Sequence, residues 1–128
     1  MDLIKEREIN GKRTWFGFSL GGYALMDLAT KVNFDKIVLI SPTPLFLDTI
    51  AEIGDDYVKM ENGDKDIREM CSMISCPVEV YVGELERPLM KDTAQKIATF
   101  FNVDLQVMKN MDHNDKLFRK VLKIETNK

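Results

Sequence analysis

Gly17-Phe18-Ser19-Leu20-Gly21-Gly22 is the stretch whose reading decides the fold. An apolar pair, Trp15-Phe16, leads into it, and Tyr23-Ala24-Leu25-Met26-Asp27-Leu28-Ala29 leaves it with a helical pattern. G-x-S-x-G between a strand and a helix puts the serine at the tip of a sharp turn, on a strained backbone angle. Glycines two residues to either side leave room for strand and helix to approach that closely. Three fixed residues arise by chance in about one chain in twenty-five of this length. The strand before, the helix after and the position of the lone histidine add the specificity that the motif lacks.

Outward from the turn, the chain alternates strand-like and helix-like segments, the signature of a parallel α/β sheet. The first strand spans about Arg13 to Phe18, the second Lys36-Ile37-Val38-Leu39-Ile40, ending at Ser41-Pro42. The third is Val78-Glu79-Val80-Tyr81-Val82 and the fourth Val103 to Met108. The second strand is continuously apolar, as expected mid-sheet. The fourth alternates, with Val103, Leu105 and Val107 on one face, as expected at an edge. Ile67, Met70, Cys71 and Ile74 recur at helical spacing, as do Ala94, Ile97, Ala98 and Phe101. Leu117, Phe118, Val121 and Leu122 form a similar stripe. Phe46, Leu47, Ile50 and Ala51 suggest a short helix after the second strand, and Asp55-Asp56 and Glu61-Asn62-Gly63-Asp64 mark loops.

His113 is the only histidine of the 128 residues. It follows the last strand, in Asn110-Met111-Asp112-His113-Asn114-Asp115. In a parallel sheet all strands end on one side, so this loop and the Ser19 turn converge on one crevice. There His113 would take the Ser19 proton and return it to a leaving group. A carboxylate should fix the imidazole tautomer, and Gly83-Glu84-Leu85-Glu86 after the third strand offers two candidates, Glu86 and Glu84.

These residues together resemble the C-terminal half of an α/β-hydrolase of the esterase, lipase or thioesterase type. The resemblance rests on Gly-Phe-Ser-Leu-Gly-Gly at 17–22, Val-Leu-Ile-Ser-Pro at 38–42, Pro-Val-Glu-Val-Tyr-Val-Gly-Glu-Leu-Glu at 77–86 and Met-Asp-His-Asn-Asp at 111–115. It covers the chain from Arg13 onward and keeps the family order of serine, acid and histidine. It implies a truncated parallel sheet of about four strands flanked by helices, with residues 1–128 forming a single domain. It also implies a nucleophile elbow at Ser19 and a serine hydrolase acting on a small-molecule carboxylic ester or thioester through an acyl-enzyme. In the family the acid often follows a strand as Gly-x-x-Asp, which places it at Glu86, with Glu84 the alternative. The Leu20 backbone N–H would be one oxyanion donor.

The family has about four further strands before the elbow, and a loop from that half supplies the second donor. Here only the charged segment from Leu3 to Ile9 precedes the elbow strand; it resembles the helix that leads into such a strand. The alternative reading is therefore a non-catalytic or partner-dependent half-domain, or a fragment. The strand carrying Trp15 and Phe16 would become an open edge, which leads one to expect a homodimer or a partner chain there. A third reading, a phosphate-binding turn at Gly17 to Gly22, lacks the G-x-G-x-x-G spacing and the acidic residue after the second strand.

Composition narrows the class further. With 45% hydrophobic and 30% charged residues and a formal net charge of −3, the chain suits a globular protein and argues against nucleic acid as its partner. No apolar run reaches membrane-spanning length, and Met1 to Glu8 is too charged for a signal peptide, so the expected location is cytoplasmic. Cys71 and Cys76 match no metal-ligand spacing; two reduced structural thiols, no metal and no cofactor are expected.

Overall fold

A computed structural model describes residues 2–43 and 67–128. The short helix expected from Phe46 to Ala51 and the loops at 55–56 and 61–64 lie outside the described residues. Among the described residues five strands form one sheet in the order β1-β2-β3-β4-β5: β1 Ile4–Ile9, β2 Lys12–Phe18, β3 Lys36–Ile40, β4 Val78–Gly83 and β5 Leu105–Met108. β2 through β5 run parallel, and β1 pairs antiparallel with β2. Helix α1 (Leu20–Ala29) follows β2, α2 (Pro88–Phe101) follows β4 and α3 (Asp115–Thr126) follows β5. Residues 67–72 are also helical.

The N-terminal segment departs from expectation. Residues 4–9 form a strand rather than a helix, joined to β2 by a two-residue turn at Asn10 (φ 53°) and Gly11 (φ 79°). Positive φ at both positions is the geometry of a type I′ hairpin turn, which Asn-Gly favours. It sets the register Ile9↔Lys12 through Ile4↔Gly17. The β2 edge expected to await a second chain is therefore covered by the chain's own first strand. Phe16 is fully buried, and Trp15 packs on Phe34 with ring centroids 5.5 Å apart. The reason for placing a homodimer or partner chain on this strand is thereby removed.

The central strands bury both faces, which explains their unbroken apolar runs. Ile37 and Leu39 of β3 face a core with Leu25 and Met26 of α1 and Ala94, Ile97 and Ala98 of α2. Val38 and Ile40 face the opposite core, with Phe16, Phe18, Tyr81 and Leu117, Phe118 and Val121 of α3. β5 is an edge strand as its alternation suggested. It is shorter than expected, and Val107 is exposed although Leu105 on the same face packs into the first core.

Toward the N-terminal ends of β3 and β4, an ionic cluster around the buried Glu125 ties α3 to the sheet. Lys36 Nζ lies 3.0 Å from both Glu79 and Glu125, and Lys128 Nζ lies 2.7 Å from both. Glu125 is 1% exposed and also accepts the Tyr81 hydroxyl. Burial works to raise the Glu125 pKa. The hydrogen bonds that Glu125 accepts from Lys128, Tyr81 and Lys36 outweigh burial and hold the carboxyl well below the usual range.

Candidate active site

Ser19 stands between β2 and α1 at φ 57°, ψ −122°, a conformation that costs a non-glycine residue about 1–3 kcal/mol. The turn is held from several sides. Ser19 N–H donates to Ile40 O at 2.9 Å, and Ser19 O accepts from Gly22 N and Thr43 N, both at 3.0 Å. Gly17 must be glycine here, since a Cβ would lie 2.6 Å from Gly21 O and 2.8 Å from Gly22 Cα. Gly21 makes room for a different neighbour than expected: its Cβ would meet Leu3 O at 2.4 Å, where the N-terminal segment crosses the start of α1. Serine at a helix N-cap ordinarily accepts from the first-turn amides. Ser19 makes no such cap, and its Oγ lies 2.9 Å from His113 Nε2 instead.

His113 sits in the loop after β5. Its backbone N–H donates to Asp112 Oδ1 at 2.7 Å, and its ring packs on Phe18 with centroids 4.8 Å apart. Asn114 caps α3 by accepting from Leu117 N–H, which fixes the loop's exit. The imidazole Nδ1 lies 2.6 Å from Glu86 Oε1. With Glu86 ionised, Nδ1 carries the proton, and Nε2 is left to accept from the Ser19 hydroxyl.

Glu86 is 2% exposed. Its second oxygen accepts from Gly83 N–H at 2.6 Å and from the Ser41 hydroxyl, so the buried carboxylate has three partners. The loops that carry Glu86 and His113 are stitched together by Glu84 N–H to Met108 O and Leu85 N–H to Met111 O, each 2.9 Å. The two candidate acids are thus separated by geometry. Glu84 is exposed and accepts from Asn110 N–H at 3.0 Å, away from the imidazole. Sequence reasoning did not single out Ser41. It lies at the end of β3 with φ 46°, and nothing in Ile40-Ser41-Pro42 reveals that angle.

Leu20 opens α1, so its N–H has no intrahelical acceptor and, among the described residues, no other partner beside Ser19. Leu20 also lines an apolar groove of ≈580 Å³ with Leu3, Ile4, Tyr23 and Ala24. His113 opens onto a separate cleft of ≈300 Å³ with Arg87, Met90 and Asp112. The arrangement as a whole is a hydroxyl on a strained corner, an imidazole able to take its proton, and a buried carboxylate behind the imidazole.

Burial pushes the Cys71 thiol up to about 12 and raises Cys76 as well, so both are protonated at neutral pH. Among the described residues no group of three or more His, Cys, Asp or Glu could hold a metal ion, and no helix is long and apolar enough to cross a membrane.

No family model matches the sequence, and no curated protein matches it. Among solved structures, the chain is similar to an alpha/beta hydrolase enzyme from the metagenome of sediments from the lagoon of Mar Chica, Morocco. The TM-score is 0.54 at 16% identity, over 85% of this chain and 58% of that one. The likeness is one of fold: a mostly parallel sheet flanked by helices.

Proposed function

We propose that this chain is a serine hydrolase acting on a small-molecule carboxylic ester or thioester through an acyl-enzyme. The observation that carries the reading is the continuous relay from Ser19 Oγ to His113 Nε2 (2.9 Å) and from His113 Nδ1 to Glu86 Oε1 (2.6 Å), built on a strained strand–helix corner. Ser19 Oγ attacks the carbonyl carbon while its proton passes to His113 Nε2. The bond to the leaving group then breaks, and His113 returns that proton to the departing oxygen or sulfur. Water repeats the sequence in reverse: its proton goes to Nε2, its oxygen bonds the acyl carbon, and Ser19 leaves reprotonated. Glu86 holds the Nδ1–H tautomer and stabilises the imidazolium.

Leu20 N–H is the donor that the corner itself offers to the developing oxyanion. Activated esters and thioesters, whose leaving groups need the least assistance, are the substrates that test the reading first. In p-nitrophenyl acetate hydrolysis, Ser19→Ala is expected to lower kcat/KM at least about a thousandfold. Equal turnover by the folded variant would overturn the reading.

A further inference from the structure

We infer that Ser41 is a positioning residue for this site: its hydroxyl, with the Gly83 N–H, clamps one oxygen of Glu86 so that the other meets His113. The inference rests on the hydrolase reading above. Ser41 is 2% exposed and pinned at both ends, its N–H donating to Tyr81 O at 2.8 Å and its carbonyl accepting from Thr43 Oγ1 at 2.9 Å. Its side chain therefore has little freedom, and its hydroxyl donates to Glu86 Oε2.

Two features make this clamp matter. Glutamate has one more side-chain torsion than the aspartate it stands for, and the Gly83 N–H alone (2.6 Å) would leave the carboxylate plane free to swing about that single bond. The Glu86 side chain is wholly enclosed (0% exposed), so no solvent contact replaces a lost donor. In addition, φ 46° at Ser41 is a region that favours glycine, so this serine keeps its hydroxyl at a backbone angle unfavourable to a Cβ.

His113 is the only histidine, so its ring nitrogens give unambiguous NMR signals. Long-range 1H–15N correlation above the imidazole pKa reports the tautomer, which the wild type should hold with the proton on Nδ1. Ser41→Gly removes the hydroxyl and suits the backbone angle; Ser41→Ala removes it and keeps the Cβ. Either folded variant should shift His113 toward the Nε2–H tautomer. Either should also lower kcat on p-nitrophenyl acetate about ten- to a hundredfold, with KM within about twofold. A folded variant with the wild-type tautomer and the wild-type kcat overturns the clamp. Should the wild type prove inactive, the hydrolase reading fails and the tautomer alone decides: a shift supports the clamp, and an unchanged spectrum refutes it.

Discussion

Two buried carboxylates sit at opposite ends of the same sheet, and their partners differ in kind. At the N-terminal ends of β3 and β4, Glu125 meets two ammonium groups and a phenol, and the Lys36–Glu79–Lys128–Glu125 contacts close on themselves. At the C-terminal ends, Glu86 meets a hydroxyl, a backbone amide and an imidazole that is 29% exposed. The first cluster neutralises its charge within the fold and holds α3 in place. The second passes its influence outward through His113 to a strained serine. Burial and hydrogen bonding are common to both. What separates them is whether the network ends in ammonium groups or in an imidazole that faces a hydroxyl.

The sharpest break in this comparison is expected at the C-terminal end. Glu86→Gln keeps the volume but no longer enforces the Nδ1–H tautomer, and kcat should fall about 10³- to 10⁴-fold. Glu84→Gln, two residues away on the surface, should stay within about twofold of the wild type. Steady-state hydrolysis of p-nitrophenyl acetate measures both. Equal losses would mean that the relay does not run through Glu86.

A smaller effect, on stability rather than rate, is expected at the other end. Glu125→Gln leaves two partly exposed lysines sharing Glu79 and should destabilise by about 2 kcal/mol near neutral pH, lowering Tm by about 7 °C. Activity per folded molecule should be unchanged. The sign of the pH dependence follows from the depressed pKa. Glu125 contributes fully above its unfolded value of about 4.3, and the contribution is lost as pH falls through about 2. Urea melts should therefore show the gap between wild type and variant closing from about pH 5 downward. A gap that is independent of pH would remove the ionised Glu125 from the account.

The sequence was most readable where one residue type can do only one thing. Gly17 beside Ser19, the unbroken Ile37-Val38-Leu39-Ile40 and the helical stripe from Leu117 each have a single physical reading, and the observed elements follow them closely. The N-terminal strand was hidden by its own charges. Lys5, Glu6, Arg7 and Glu8 erase the apolar alternation of an edge strand, although Asn10-Gly11 carried the hairpin signal. The missed hairpin produced the mistaken open edge at Trp15-Phe16. At the site, position after a strand pointed to His113, Glu86 and Glu84, and the structure brings His113 and Glu86 together with Ser19. Choosing between Glu84 and Glu86 needed coordinates, because the turn after β4 decides which one points inward. Ser41 was invisible for a similar reason: its part depends on a backbone angle and on a partner 45 residues away.

Covalent labelling tests the central claim most directly. Wild-type protein treated with an alkyl fluorophosphonate should gain one adduct by intact mass. Peptide mapping should locate it on Ser19, and His113→Ala should slow its formation about a thousandfold or more. Folded wild-type protein left unmodified at Ser19, or labelled no faster than His113→Ala, would contradict the account.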